Sequence, residues 1–190
     1  MVTGVVLCGG RGRRLSGKDK PLEQLAGRAL VEWVVERLEP QVDDLLISAN
    51  RNLDTYGNLG HEVITDDVAE HTGPLAGVRA ALRHHEDDWL FACPGDVPLL
   101  PEGIVETLRG AIGRDVAAYA YDGEHAQYLH MLVARSAAAS LDEFLGSGAR
   151  AVRTWLSVCN AVAVDCSTLA GSFQGLNEPE DLRLLEALLG

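Results

Sequence analysis

Short apolar runs alternate with stretches of helical spacing through the first half of the chain, and this alternation leaves few folds open. Val5-Val6-Leu7-Cys8 ends at Gly9-Gly10 and reads as a strand buried on both faces. Leu30, Val31, Val34, Val35 and Leu38 recur at helical spacing, and Pro40 stops that helix. Leu45-Leu46-Ile47 and Glu62-Val63-Ile64 read as two more strands. Leu75 to His85 has helical spacing, and Trp89 to Cys93 is a fourth strand ended by Pro94-Gly95. The pattern predicts a mostly parallel central sheet with helices on both faces. Pro101 is expected at the first position of a helix through Ile104, Val105 and Leu108. Beyond it the order is less regular. Val116–Tyr121 and Leu129–Ala134 read as strands joined through an Asp122-Gly123 turn, and Val162–Val164 as one more. Helices are expected over Ser136–Leu145, with Ser136 as N-cap, over Arg150–Leu156 and over Pro179–Leu189. A chain of 190 residues suits one domain. We expect a nucleotide-handling part over about residues 1–100 and an acceptor-handling part over about residues 101–190.

The net charge of −12 argues against nucleic acid and anionic membranes as partners. An anionic protein that binds phosphate must gather local cations. The one dense cluster in the sequence is Arg11, Arg13, Arg14, Lys18 and Lys20. No apolar run reaches the roughly 18 residues of a membrane span. The beginning of the chain has no basic region followed by a cleavable apolar stretch, so a cytoplasmic location is expected. Cys8, Cys93, Cys159 and Cys166 show no CxxC spacing and read as buried free thiols. The six histidines form no H-x-x-x-H pair and read as surface or core residues, and Trp33, Trp89 and Trp155 read as core.

The cation cluster lies in a glycine-rich loop, Gly9 to Lys20, that leaves the carboxyl end of the first strand. Open α/β sheets place their ligands at that edge. Glycine lets the backbone approach a phosphate, its N–H groups can cradle anions, and Lys20 and Arg14 supply compensating charge. The spacing is neither a Walker loop nor GxGxxG. Asp96, after the fourth strand in Cys93-Pro94-Gly95-Asp96-Val97-Pro98, suits a Mg²⁺ ligand, because Mg²⁺ takes one or two carboxylates plus substrate phosphates. Asp66 and Asp67 follow the third strand; Asp66 is a candidate acceptor from a base or ribose, and Asp67 reads as solvated. Gly73-Pro74-Leu75-Ala76-Gly77 opens a helix whose N-terminus can hold a base edge or an anion.

Together these segments resemble the molybdenum-cofactor guanylyltransferases. The likeness rests on Leu7, Gly9, Gly10, Arg14, Asp19 and Lys20, then Ala49-Asn50-Arg51, Val63-Ile64-Thr65-Asp66, Gly73 to Gly77 and Cys93 to Pro98, in that order. It continues through Gly148, Arg150, Val152 and Trp155 to Asn177-Glu178-Pro179-Glu180-Asp181-Leu182. Cys8 stands where the family usually has alanine, Ser48 where some relatives have asparagine, and Gly175 where another asparagine is frequent.

The resemblance implies a Rossmann-like nucleotidyltransferase that moves GMP from GTP to the phosphate of molybdopterin, with Mg²⁺, releasing pyrophosphate. It implies that the backbone of Leu7, Cys8 and Gly9, with Gly10, holds the nucleotide. Lys20 and Arg14 would meet its phosphates, and Asp66 with the Ser48–Asn50 segment would face the guanosine. Gly77 would lie in the helix-opening motif, Asp96 would bind Mg²⁺, and Asn177 would lie toward the pterin. Partners implied are GTP and the molybdopterin cofactor, and beyond them other cofactor-biosynthesis proteins and target molybdoenzymes. Two rival readings are a guanylyltransferase for cobinamide phosphate or a sugar phosphate, and a nucleotide-binding regulatory protein without turnover. Gly73 to Gly77 and Asn177-Glu178-Pro179 weigh against the first, and Lys20 with Asp96 against the second.

Overall fold

A computed structural model describes residues 1–8, 19–66, 73–175, 181 and 185. One sheet organises them. Its strands are β1 (Val2–Leu7), β4 (Asp44–Ser48), β5 (Glu62–Ile64), β6 (Trp89–Pro94), β7 (Ala117–Tyr121), β8 (Ala126–Ala134) and β9 (Val162–Asp165), in the spatial order β5-β4-β1-β6-β8-β7-β9. β1 pairs in parallel with β4 and with β6, and β4 with β5. β8 runs antiparallel to β6 and β7, while β7 and β9 are parallel. The expected mostly parallel sheet is therefore present, reversed at one strand. A hairpin of β2 (Gln24–Leu25) and β3 (Arg28–Ala29) stands apart from it.

Alternation along the strands decides what lies on each face. Val6 and Cys8 of the first strand and its exit, with Phe91 and Cys93 of β6, pack against α1 (Leu30–Leu38), Tyr56 of α2 (Leu53–Gly57) and α4 (Ile104–Ala111). Val5, Leu7, Leu90 and Ala92 point the other way, onto α3 (Pro74–His84), α5 (Ala138–Gly146) and α6 (Val152–Val158). Strands with apolar side chains on both faces need a helical layer on each. A smaller cluster of Leu25, Leu30, Leu99 and Leu185, with Trp33 against it, ties the hairpin to the late chain.

Several local expectations need correcting. α4 begins at Ile104 after Gly103, whose φ of 73° ends the preceding turn, so Pro101 lies outside the helix. Ser136 lies in a 3-10 turn, Arg135–Ala137, and the residue before α5 is Ala137, with no side-chain cap. Of the three tryptophans only Trp155 is fully buried. Trp33 and Trp89 are half-buried beneath the guanidinium groups of Arg28 and Arg109, each 4.2 Å from the ring centre. The expected turn at Asp122 is present: its carboxylate accepts from the Glu124 and His125 amides and the Gln127 side chain. All four cysteines are free thiols. Burial raises the pKa of Cys8, and burial likewise raises that of Cys93.

Candidate functional site

The carboxyl ends of the four parallel strands β5, β4, β1 and β6 lie along one edge of the sheet. The chain leaves β1 to build outward through β4 and β5, then returns to β1's other side as β6. The strand order thus reverses between β1 and β6, the place where open α/β sheets hold their ligands. Cys8, Ser48, Asp66 and Asp96 stand at or just beyond those four ends.

Lys20 and Asp96 meet at the reversal point. The Lys20 ammonium lies 2.8 Å from Asp96 Oδ2, with side chains 22% and 26% exposed. Lys20 opens a 3-10 turn, Lys20–Leu22, in which Pro21 is buried. That turn sits directly on Gly95: a Cβ there would stand 3.3 Å from Pro21 Cβ and 2.8 Å from Cys8 Sγ. Gly95 N–H in turn donates to the Leu7 carbonyl at 3.0 Å. The missing side chain at position 95 is what lets the lysine turn close over the β6 exit.

A second polar pair marks the other end. Asn50 Nδ2 donates to Asp66 Oδ2 at 2.8 Å, and the Asp66 amide donates back to Asn50 Oδ1 at 3.0 Å. The exits of β4 and β5 are thereby clipped together.

Ser48 is placed differently from an open base-facing residue. It is 5% exposed and its side chain points at α3. A Cβ on Gly77 would come within 2.5 Å of Ser48 Oγ and 3.0 Å of Leu7 Cδ2, so glycine at 77 lets α3 lie close on the sheet. Gly73, with φ of 75°, takes a backbone conformation that glycine adopts without strain, and Pro74 begins the helix behind it. The Cys8 amide donates to the Ser48 carbonyl at 2.8 Å, so this N–H extends the sheet. Gly9, Gly10, Arg14 and Asn177 lie outside the described residues, as do Arg11, Arg13, Lys18, Asp67 and His71.

Sequence reasoning gave no role to the surroundings of Asp19. Its side chain is 6% exposed and meets Arg51 Nη2 at 3.3 Å, and Asn52 Nδ2 donates to its Oδ2 at 2.7 Å. Asn52 has φ of 53°, a left-handed conformation that asparagine tolerates well. The buried Tyr56 hydroxyl has no hydrogen bond of good geometry. Burial, then the charges of Cys8 and Asp19, push its pKa up. The visible signal was Asp19 itself, a carboxylate beside the one lysine now placed at the site.

As to a metal, no three His, Cys, Asp or Glu side chains gather among the described residues. Asp96 presents one carboxylate, a hard oxygen donor, just beyond a strand end. That fits Mg²⁺ held by one carboxylate with the remaining positions on phosphates and water.

A sheet that reverses order beside a lysine–carboxylate pair suits an α/β protein that binds an anionic ligand at that edge. Residues 4–162 match the MobA-like NTP transferase domain. The chain is 38% identical over 180 residues to the molybdenum cofactor guanylyltransferase of Photobacterium profundum, covering 94% of this chain and 92% of that one. It is 40% identical over 180 residues to the protein of that name from Serratia proteamaculans, covering 95% and 91%. The crystal structure of molybdopterin-guanine dinucleotide biosynthesis protein A from Archaeoglobus fulgidus superimposes with a TM-score of 0.78 at 28% identity, covering 100% and 98%. The chain belongs to the MobA-like NTP transferases, a family of nucleotidyltransferases, and matches the molybdenum cofactor guanylyltransferases over nearly its whole length. No helix among the described residues is long and apolar enough to cross a membrane.

Proposed function

We propose that this enzyme transfers GMP from GTP to the terminal phosphate of molybdopterin and releases pyrophosphate. The observation that carries the reading is the Lys20–Asp96 pair at the reversal point of the sheet, in a chain so similar to guanylyltransferases. An acceptor phosphate oxygen attacks the α-phosphorus in line. The new P–O bond forms as the bond to the bridging oxygen breaks, and pyrophosphate leaves with that electron pair. The nucleophile is already anionic, so no base and no covalent enzyme intermediate are required. The protein positions the two phosphates and neutralises their charge. Lys20, with Arg14, meets the phosphates of GTP. Mg²⁺, which Asp96 would hold, would supply further neutralisation there. Asp66, held by Asn50, faces the guanosine; Leu7, Cys8, Gly9, Gly10, Ser48 and Gly77 shape its cradle.

The acceptor occupies the side built from about residue 101 onward, near Asn177. Two features support that division. A Cβ on Gly175 would lie 3.3 Å from the Asp96 carbonyl, so the late chain reaches the phosphate end of the site. Tyr119 of β7 and Tyr128 of β8 pair at 5.0 Å, and this half-buried aromatic pair in the later part of the chain suits a planar acceptor. A cytoplasmic setting, and hand-over to other cofactor-biosynthesis proteins and molybdoenzymes, follow from such a product.

A labelled-GTP panel tests the reading. Label should pass to molybdopterin, and not to cobinamide phosphate or a sugar phosphate, with CTP a poor donor. Equal kcat/KM for GTP and CTP overturns the guanylyl assignment. Transfer to another acceptor overturns the pterin assignment.

A further inference from the structure

We propose that Asp19 is the positioning residue for Lys20, and that Arg51 and Asn52 hold it, so that residues 50–52 set the span between the two ends of the nucleotide site. The inference rests on the reading that Lys20 meets the phosphates of GTP. Its observations are separate ones.

Three consecutive residues after β4 reach in two directions. Asn50 grips Asp66 at the β5 exit through two hydrogen bonds. Arg51 and Asn52 turn the other way, onto the carboxylate of Asp19, at 3.3 and 2.7 Å. Asn52 manages this because its left-handed backbone turns the chain there and starts α2. The grip on Asp19 passes directly to Lys20. The Asp19 carbonyl accepts from Leu22 N–H at 2.9 Å, the Lys20 carbonyl accepts from Glu23 N–H at 3.0 Å, and Pro21 fixes a backbone angle between them. Lys20 thus leaves a turn pinned on one side by the Asp19 side chain and on the other by Pro21 against Gly95. A long, rotamer-rich ammonium side chain loses aim unless its own backbone is fixed. A misplacement of about 1 Å in a positioning group can cost on the order of 10²-fold in rate. An exposed turn would not need a carboxylate buried to 6% exposure and matched by an arginine and an amide. Burying a charge is costly unless it is paired and hydrogen-bonded; here Arg51 is ion-paired with Oδ1, which accepts no hydrogen bond of good geometry, and Asn52 donates to Oδ2.

The chain's only two lysines, Lys18 and Lys20, make a direct test practicable. Reductive ¹³C-methylation gives one dimethyl-lysine signal for each, assigned with Lys18→Arg and Lys20→Arg. In the unsubstituted protein the Lys20 signal should stand apart from that of a solvated lysine because of its carboxylate partner. Asp19→Asn and Asn52→Gly should move it toward the solvated position. Glycine accepts the left-handed backbone of Asn52, so this variant removes the amide without straining the turn. In unlabelled protein both variants should lower kcat for GMP transfer about tenfold or more while the acceptor KM holds, and Arg51→Lys should lose less than Arg51→Met. A change in melting temperature with an unmoved Lys20 signal and unchanged kcat in Asn52→Gly overturns the proposal, leaving Asp19 a purely structural carboxylate. Should Asp19→Asn fail to fold, Asn52→Gly and the Arg51 pair still decide it. If the unsubstituted enzyme transfers no GMP to molybdopterin, the proposed function falls, while the spectroscopic arm still tests the positioning of Lys20.

Discussion

The Lys20 ammonium and the Asp96 carboxylate, 76 residues apart in sequence (96 − 20), touch at 2.8 Å across the gap between the β1 and β6 exits. Each is thus partnered before any nucleotide arrives. On the proposed reading, nucleotide binding would turn the lysine to a phosphate and the carboxylate to a cation, exchanging one opposite charge for another and leaving neither bare.

Lys20→Ala removes one half of that exchange. Lys20 belongs to none of the apolar clusters of the described residues, so circular dichroism should be unchanged. Turnover should drop by about 10²-fold or more, the usual cost of losing one charge-stabilising donor. Turnover near that of the unsubstituted enzyme removes Lys20 from the chemistry.

Asp96→Asn keeps the shape and removes a charge. The Mg²⁺ concentration for half-maximal initial rate should rise, and the rate at saturation should fall. GTP without metal should bind this variant as well as or better than the unsubstituted protein. The amide no longer repels the triphosphate, and Lys20 no longer has a carboxylate to leave. Titration of Mg²⁺ against rate, with calorimetry of GTP binding in chelator, checks both. An unmoved Mg²⁺ midpoint places the metal elsewhere, with Asp66 the next candidate.

His130 predicts an acid-labile core. The ring is 2% exposed, meets Phe173 edge-on at 5.0 Å, and both nitrogens lack a hydrogen-bond partner among the described residues. Burial lowers its pKa from 6.5 to about 3. Between those values the unfolded chain binds a proton that the native chain does not. Stability therefore falls as pH drops from about 6.5 toward 3, by on the order of a few kcal/mol. His130→Leu should flatten that limb and leave neutral-pH stability equal or higher, since it removes unpartnered buried nitrogens. Urea midpoints of both proteins from pH 7.5 to 4 measure it; parallel curves refute the assignment.

Gly77→Ala sets helix propensity against packing. Alanine gains up to about 1 kcal/mol inside a helix. Its methyl would stand 2.5 Å from Ser48 Oγ, 3.2 Å from Ser48 Cβ and 3.0 Å from Leu7 Cδ2. Overpacking of that kind costs about 1–3 kcal/mol, so the net effect is destabilising. Adding Ser48→Ala removes the nearest clash and should recover part of the loss in thermal melts. An unchanged melting temperature for Gly77→Ala shows that α3 shifts without cost.

How much of this was legible in the sequence follows from what local pattern encodes. Glu62–Ile64, Leu30–Leu38 and Trp89–Cys93 are readable because buried strands read as short apolar runs and amphipathic helices as apolar residues at helical spacing. Lys20 and Asp96 are singled out by separate motifs; their contact spans two strand exits and has no local signature. α2 escaped notice because five residues starting from a left-handed asparagine carry too short a period. The β2–β3 hairpin turns through Ala26 at φ of 50°, where an asparagine would have announced the turn. Asp19 looked like a loop carboxylate because its partners Arg51 and Asn52 come from another strand's exit.

The position of β6 also bears on how the chain is made. β6 pairs on one side with β1, residues near the beginning of the chain, and on the other with β8, which follows it by some thirty residues. While the chain emerges from the ribosome, β5, β4, β1 and β6 can assemble as soon as residue 94 is out, with Leu90, Phe91, Ala92 and Cys93 on an open edge. An apolar edge with unpaired amides recruits other chains. Slow translation between β6 and β8, or loss of β8 by truncation, should therefore leave a sticky half-sheet that aggregates.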